Sequence, residues 1–266
     1  MTIRLDDDLA LARTLAAHAD LISMRRFTAQ DFTVTTKPDR TPVTEADREV
    51  ERAIREGIAA ARPHDAILGE EFGSTGEQHG EGRPERQWII DPIDGTANFL
   101  RGVPIWGTLI ALAVDGVPRV GVVSAPALGQ RWWAATGLGA YTQRNGEHEQ
   151  RIHVSKIATL DDAVVSYNSL PGWIDAGRGD QAIALATAAW RARAIGDMWA
   201  YMLVAEGAID VATECDLQPY DMAALWPIVE EAGGRMTDID GREGPWHGTV
   251  CATNGLLHDD VLGLLK

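Results

Sequence analysis

The alternation of apolar and polar positions opens with helical periodicity: Leu11, Leu15, Ala19 and Ile22 recur on one face of residues 9–27. Arg13, His18 and Arg25 fall elsewhere on that helix, so His18 reads as a surface residue and not a ligand. Residues 47–62 predict a second helix, ended by Pro63. The apolar run Ala66-Ile67-Leu68 then predicts a strand with Gly69-Glu70-Glu71 at its end. On such a strand Glu70 and Glu71 would point to opposite faces. Residues 108–114 and 117–125 read as strands joined by a hairpin at Asp115-Gly116, and 131–135 with 140–144 as further antiparallel strands, followed by the turn Asn145-Gly146. Beyond them the period alternates: strand 163–167, helix 180–190, strand 193–195, helix 198–206, strand 209–212 and helix 221–232. This is how a sheet covered on both faces reads. A boundary within 144–150 divides the chain into an N-terminal α+β lobe, 1–146, and a C-terminal α/β lobe, 147–266.

The chain has 266 residues, 45% of them hydrophobic, enough for one large domain or two lobes. No apolar run reaches the length that crosses a bilayer, and Met1-Thr2-Ile3-Arg4-Leu5-Asp6-Asp7-Asp8 is acidic where a signal peptide is basic and then apolar. The expectation is a cytoplasmic protein without a membrane partner, its two cysteines, Cys215 and Cys251, unpaired packing residues. A formal charge of −15 excludes nucleic acid as a partner, because that binding rests on Lys and Arg neutralising phosphates.

The acids are not evenly spread. Asp91-Pro92-Ile93-Asp94-Gly95-Thr96-Ala97-Asn98-Phe99 sets two carboxylates three residues apart on a turn that also offers the Ile93 carbonyl. Oxygen ligands at that density suit a hard cation such as Mg²⁺. Gly95 lets the backbone approach a phosphate, and Thr96 supplies a hydroxyl that can orient a water. The same residues also fit an Asp-rich turn with Asp94 as a helix N-cap. Three other segments bring further acids: Glu70-Glu71, Asp47 within Thr41-Pro42-Val43-Thr44-Glu45-Ala46-Asp47, and Asp221 in the first turn of the helix over 221–232.

Together these segments resemble the inositol monophosphatase family of Mg²⁺-dependent phosphatases. The family's D-P-[IL]-D-G-T-x-N-F core stands at 91–99. Its W-D-x-A-A-x-x-x-x-x-x-E-A-G-G element stands at 220–234, with Tyr220 in place of Trp. The resemblance implies an α-β-α-β-α layered sandwich, an α+β or α/β fold, and a homodimer. It implies one Mg²⁺ on Glu70, Asp91 and the Ile93 carbonyl, a second on Asp91, Asp94 and Asp221, and a weaker third on Glu70 and Asp47. Glu71 would sit behind these or on the weaker ion, and Lys37 would face the site. Bound cations would reconcile an anionic protein with an anionic substrate.

The catalytic set is then Glu70, Thr96 and Asp94, with Thr96 and Glu70 orienting a water for in-line attack on a phosphate held by the Gly95 and Thr96 amides. The partner is a small phosphorylated metabolite. Stretches at 36–44, 98–106 and 221–225 resemble the actinobacterial histidinol-phosphatase branch. Asp197, Glu214 and Asp216, with Asp221, lie on segments that the family folds around the substrate's organic half. Extra carboxylates there favour a cationic ligand such as histidinol phosphate over a neutral polyol; Glu214 matches a position where inositol enzymes also carry an acid that accepts from hydroxyls, so Asp197 and Asp216 are the more discriminating residues. Inositol 1-phosphate, or another small sugar or nucleotide phosphate taken by the family, is the alternative substrate, and a non-catalytic regulator that binds a phosphometabolite is the alternative of another class. Asp197 also fits an N-cap for the helix that follows it, and Asp216 a solvated loop acid. The polar, Gly-rich stretch 74–84 reads as a mobile cover or as a plain exposed loop.

Overall fold

The computed structural model describes residues 4–30, 34–36, 42–76 and 84–266. Lys37 with its turn, residues 1–3 and most of the 74–84 stretch lie outside them.

Helix α1 (Leu5–Ala29) precedes a hairpin of β1 (Val34–Thr36) and β2 (Pro42–Thr44), then α2 (Glu45–Ala61), β3 (Ala66–Gly69), β4 (Gly73–Thr75) and β5 (Arg86–Asp94). Then come α3 (Thr96–Leu100), β6 (Gly107–Val114), β7 (Val117–Ala125), β8 (Gln130–Ala135), β9 (Gly139–Arg144) and β10 (Gln150–Arg151). The second half holds β11 (Val164–Ser166), α4 (Leu170–Asp175), α5 (Gly179–Ala188), β12 (Arg191–Arg193), α6 (Asp197–Ala205) and β13 (Val211–Cys215). It ends with α7 (Pro219–Met222), α8 (Leu225–Glu231), β14 (Arg235–Thr237), β15 (Thr249–Thr253) and α9 (His258–Leu265).

These form five layers. The larger sheet has the order β10-β9-β8-β7-β6-β5-β3-β4, the smaller β12-β11-β13-β15-β14. Trp88, Ile90, Ile110 and Trp133 on one face of the larger sheet pack against Ala12, Leu15 and Ala19 of α1 and Val50, Ile54 and Ile58 of α2. The alternate residues Ile89, Leu109, Val123 and Trp132 face the opposite way. They meet α6 and α8, which in turn meet Ala212 and Ala252 of the smaller sheet. Val165, Val211 and Cys251 cover the smaller sheet's far face with α5 and α9. The result is the α-β-α-β-α sandwich. Strand β10 still pairs with β9, and the division into lobes 1–146 and 147–266 we keep as a proposal.

Several boundaries move, each for a physical reason. Helix 221–232 is two helices separated at Ala223 and Ala224, because Pro227 has no N–H for the Ala223 carbonyl and its ring crowds that turn. The strand expected at 209–212 is β13, which puts Glu214 on a strand; the one expected at 193–195 ends at Arg193. Cys215 and Cys251 are free and buried, and His18 is exposed.

Candidate metal centre and active site

Strand β5 carries Asp91 and Asp94, and on a regular strand that odd spacing would send them to opposite faces. The ladder to β6 slips between them, since Asp91 pairs with Leu109 and Asp94 with Gly107. Pro92 lies in that bulge, where a residue without an N–H does no harm to the ladder. Thr108 Oγ1 donates to the Pro92 carbonyl at 2.8 Å and holds the distortion. Asp91 and Asp94 thereby meet Asp221, one carboxylate oxygen from each lying within 4.8 Å of the others.

A second cluster on the same spacing joins Asp47, Glu70 and Glu71. The expectation that Glu70 and Glu71 point apart is corrected here: β3 ends at Gly69, so both acids lie on the turn that follows it. Asp47 is fixed by a capping box at the start of α2, its Oδ2 accepting from the Thr44 amide at 2.8 Å and from Thr44 Oγ1 at 2.6 Å. Thr96 links the clusters, with Oγ1 2.9 Å from the Ile93 carbonyl and 3.3 Å from Asp47 Oδ1. The helix that starts there is capped by Gly95, not Asp94; its φ of +84° suits glycine, and a Cβ would come 3.1 Å from the Ile105 carbonyl. Behind it Phe99, Trp106 and Phe27 pack ring on ring, which anchors the turn to α1.

The remaining oxygens are held by backbone. Asp91 Oδ1 accepts from the Ile93 amide at 3.0 Å, Asp94 Oδ2 from the Met198 amide at 2.6 Å, and Asp221 Oδ2 from the Gln218 amide at 2.7 Å. Among the described residues no Lys or Arg pairs with Asp91, Asp94 or Asp221. Burial and mutual repulsion push Asp91 and Asp94 well above the carboxylate range. Burial first, then the neighbouring Glu70, pushes Asp47 up to about 6 and Asp221 up to about 7. Buried Asp91 and half-buried Asp94 and Asp221, together and without a Lys or Arg partner among the described residues, fit a hard divalent cation, which would supply the missing charge; in the second cluster Arg48 stands 3.7 Å from Glu71. Glu70 stands with Asp47 and Glu71, and its charge also reaches Asp91 across the gap.

One consequence is measurable. These folded-state pKa values lie above the unfolded ones, so their stabilising effect is present at low pH and lost as pH rises through about 6 to 7. His258, buried between Thr237 and Thr253 and pushed down to about 4, acts the other way only below its ordinary value of 6.5. Between about pH 6.5 and 8.5 the metal-free protein should therefore lose melting temperature, and the rise produced by Mg²⁺ should grow, as proton release by the ligands ceases to oppose binding. A Mg²⁺-induced shift that is flat or falls over that range would contradict this account of the cluster.

Beside Asp94 and Asp221 opens a cavity of about 200 Å³, lined also by Asp197, Met198, Tyr201, Glu214, Asp216 and Leu217. Asp197 is the first residue of α6 and not its N-cap, which is Gly196. Its φ of +54° and that of Asp216, +66°, are left-handed, an uncommon conformation for Asp that recurs at functional sites. Asn98 Nδ2 holds Asp197 Oδ2 at 2.8 Å and the Ile105 carbonyl at 2.9 Å. Asp216 is exposed at the rim. Asn98, Tyr201, Asn168 and the Met198 amide escaped the sequence reading. Only Asn98, inside the 91–99 motif, carried a signal that could have found it.

A model of the inositol monophosphatase family matches residues 4–265. The chain is 53% identical to the histidinol-phosphatase of Mycobacterium tuberculosis over 260 residues, 98% of each chain. It is 52% identical to the histidinol-phosphatase of Streptomyces coelicolor, covering 98% of this chain and 97% of that one. The solved structure of an inositol monophosphatase from Zymomonas mobilis superposes with a TM-score of 0.84 at 34% identity, covering 99% of both chains.

Proposed function

The chain belongs to the inositol monophosphatase family and is a phosphoric monoester hydrolase, and from that premise we propose that it hydrolyses L-histidinol phosphate to L-histidinol and phosphate with two or three Mg²⁺. The observation that carries the substrate is the cavity next to the acid clusters: Asp197, Glu214 and Asp216 line it, and among the described residues no Lys or Arg does. A neutral polyol can donate hydrogen bonds to these acids but leaves their charge uncompensated, whereas a substrate with an amine and an imidazole supplies the charge they lack. The names of the two relatives at 52 and 53% identity support the same reading.

Asp91, Asp94 and Asp221 would hold one part of the metal centre and Asp47 and Glu70, with Glu71 beside them, the other, the Ile93 carbonyl adding an oxygen between. When bound, Mg²⁺ supplies Lewis acidity, lowering the pKa of a water and stabilising the leaving alkoxide. The chain does the rest. Thr96 Oγ1, fixed between Ile93 and Asp47, orients the attacking water together with the Glu70 carboxylate. The amides of Gly95 and Thr96, without partners inside a helix that begins there, face the phosphate oxygens. Thr96 and Glu70, placed to orient a water, support attack by that water without a covalent enzyme intermediate. We place the protein in the cytoplasm and assign it a homodimer; no helix among the described residues is long and apolar enough to cross a membrane.

Asn at both Asp197 and Asp216 tests the substrate assignment. We expect KM for histidinol phosphate to rise roughly ten-fold, mostly through Asp197 because exposed Asp216 is screened, with a smaller change for inositol 1-phosphate. Equal effects on the two substrates would remove the acidic-pocket argument.

A further inference from the structure

Glu214 is the most enclosed acid of the organic-half pocket, and both its oxygens are held. Tyr201 Oη donates to Oε2 at 3.0 Å, and Asn168 Nδ2 donates to Oε1. Tyr201 is buried within α6. Asn168 follows β11 with a left-handed φ of +51°, and its amide oxygen lies against Gly196, where any Cβ would overlap it. That contact wedges the amide between Gly196 and Glu214. Both partners are neutral donors. A guanidinium or ammonium in either place would cancel the carboxylate's charge, whereas a phenol and an amide favour the ionised form and leave its charge unspent.

We propose that Tyr201 and Asn168 are positioning residues that hold Glu214 as an ionised acceptor for the protonated amino group of the substrate. The proposal rests on the histidinol phosphate reading and deepens it. A polyol hydroxyl can bond to a protonated or an ionised carboxyl, but an ammonium is a donor only and requires the ionised form. Burial, the largest influence, pushes Glu214 up, the two donors pull down and Asp197 and Asp221 push up, and together they leave it at about 8. The titratable groups facing it are Tyr201 and Asp197 from α6, Asp94 from the end of β5 and Asp221 from α7, with Cys215 and Asp216 beside it on its own segment. None is a base. The donors hold its ionisation below where burial alone would set it, an incoming cation brings it down into the neutral range, and losing one donor shifts it to higher pH.

Tyr201→Phe keeps the ring and removes only the hydroxyl. In the full-length, Mg²⁺-saturated enzyme, assayed from about pH 6.5 to 9 on histidinol phosphate and inositol 1-phosphate, we expect KM for histidinol phosphate to rise about ten-fold, with kcat within about two-fold. The acidic limb of kcat/KM should move to higher pH, and the preference between the two substrates should shrink. Asn168→Ser, whose shorter side chain withdraws the other donor, should do the same and serves if the first variant fails to fold, which a thermal melt reveals. An unmoved limb and KM, or an equal loss on both substrates, in an enzyme that prefers histidinol phosphate overturns the positioning role alone. A wild-type enzyme that prefers inositol 1-phosphate overturns the substrate reading and the amine as Glu214's partner with it.

Discussion

Asp94→Asn should lower kcat/KM by at least about a thousand-fold, roughly 4 kcal/mol of transition-state stabilisation, while leaving the metal-free protein at least as stable as before. The two halves of that expectation have one cause. Asp94 is half-buried among Asp91, Asp197, Asp221 and Glu214, all acids, so every charged side chain around it repels its ionised form. An amide keeps the acceptor oxygen that takes the Met198 amide at 2.6 Å and removes the charge. Metal-free stability above pH 7 should then hold or rise, while the Mg²⁺-induced increase in melting temperature shrinks. Loss of activity with loss of fold would mean that Asp94 is a structural residue; retained activity would mean that the cluster is not the catalytic metal centre.

The fold was legible where local chemistry decides it. Asp115-Gly116 and Asn145-Gly146 both have positive φ, at +51° and +78° and at +47° and +72°, and few other residue pairs accept that geometry, so both turns were readable from two letters. The long helices α1 and α2 showed in their apolar spacing, and the Thr44-to-Asp47 capping box that sets the start of α2 was present in the sequence though not read as such. Elements of three residues, such as Arg235–Thr237, are too short for alternation to stand out, and their pairing depends on a distant strand.

The acids were legible by type and the geometry was not. Asp91 and Asp94 could be named, yet the bulge that puts them on one face depends on how β5 pairs with β6. Glu71 joins the cluster because β3 stops one residue sooner than a strand through Glu70 would require. The pocket was harder still: Tyr201 lies in the run Met198-Trp199-Ala200-Tyr201-Met202, where every residue reads as core, and only contact with Glu214 distinguishes it. A Tyr on an apolar helix face announces nothing until the partner of its hydroxyl is seen.

Phosphate release from L-histidinol phosphate and from inositol 1-phosphate, measured side by side with Mg²⁺ and with EDTA, tests the central claim most directly. The acidic cavity, with no Lys or Arg among its described lining residues, predicts a preference for histidinol phosphate of at least about a hundred-fold in kcat/KM, roughly 3 kcal/mol of differential transition-state binding, and no turnover of either in EDTA. One buried carboxylate paired with an ammonium, with a second alongside, is enough to supply a difference of that size. Equal rates or the reverse preference would leave the acid clusters their metal chemistry and contradict the assignment of Asp197, Glu214 and Asp216 to a cationic substrate.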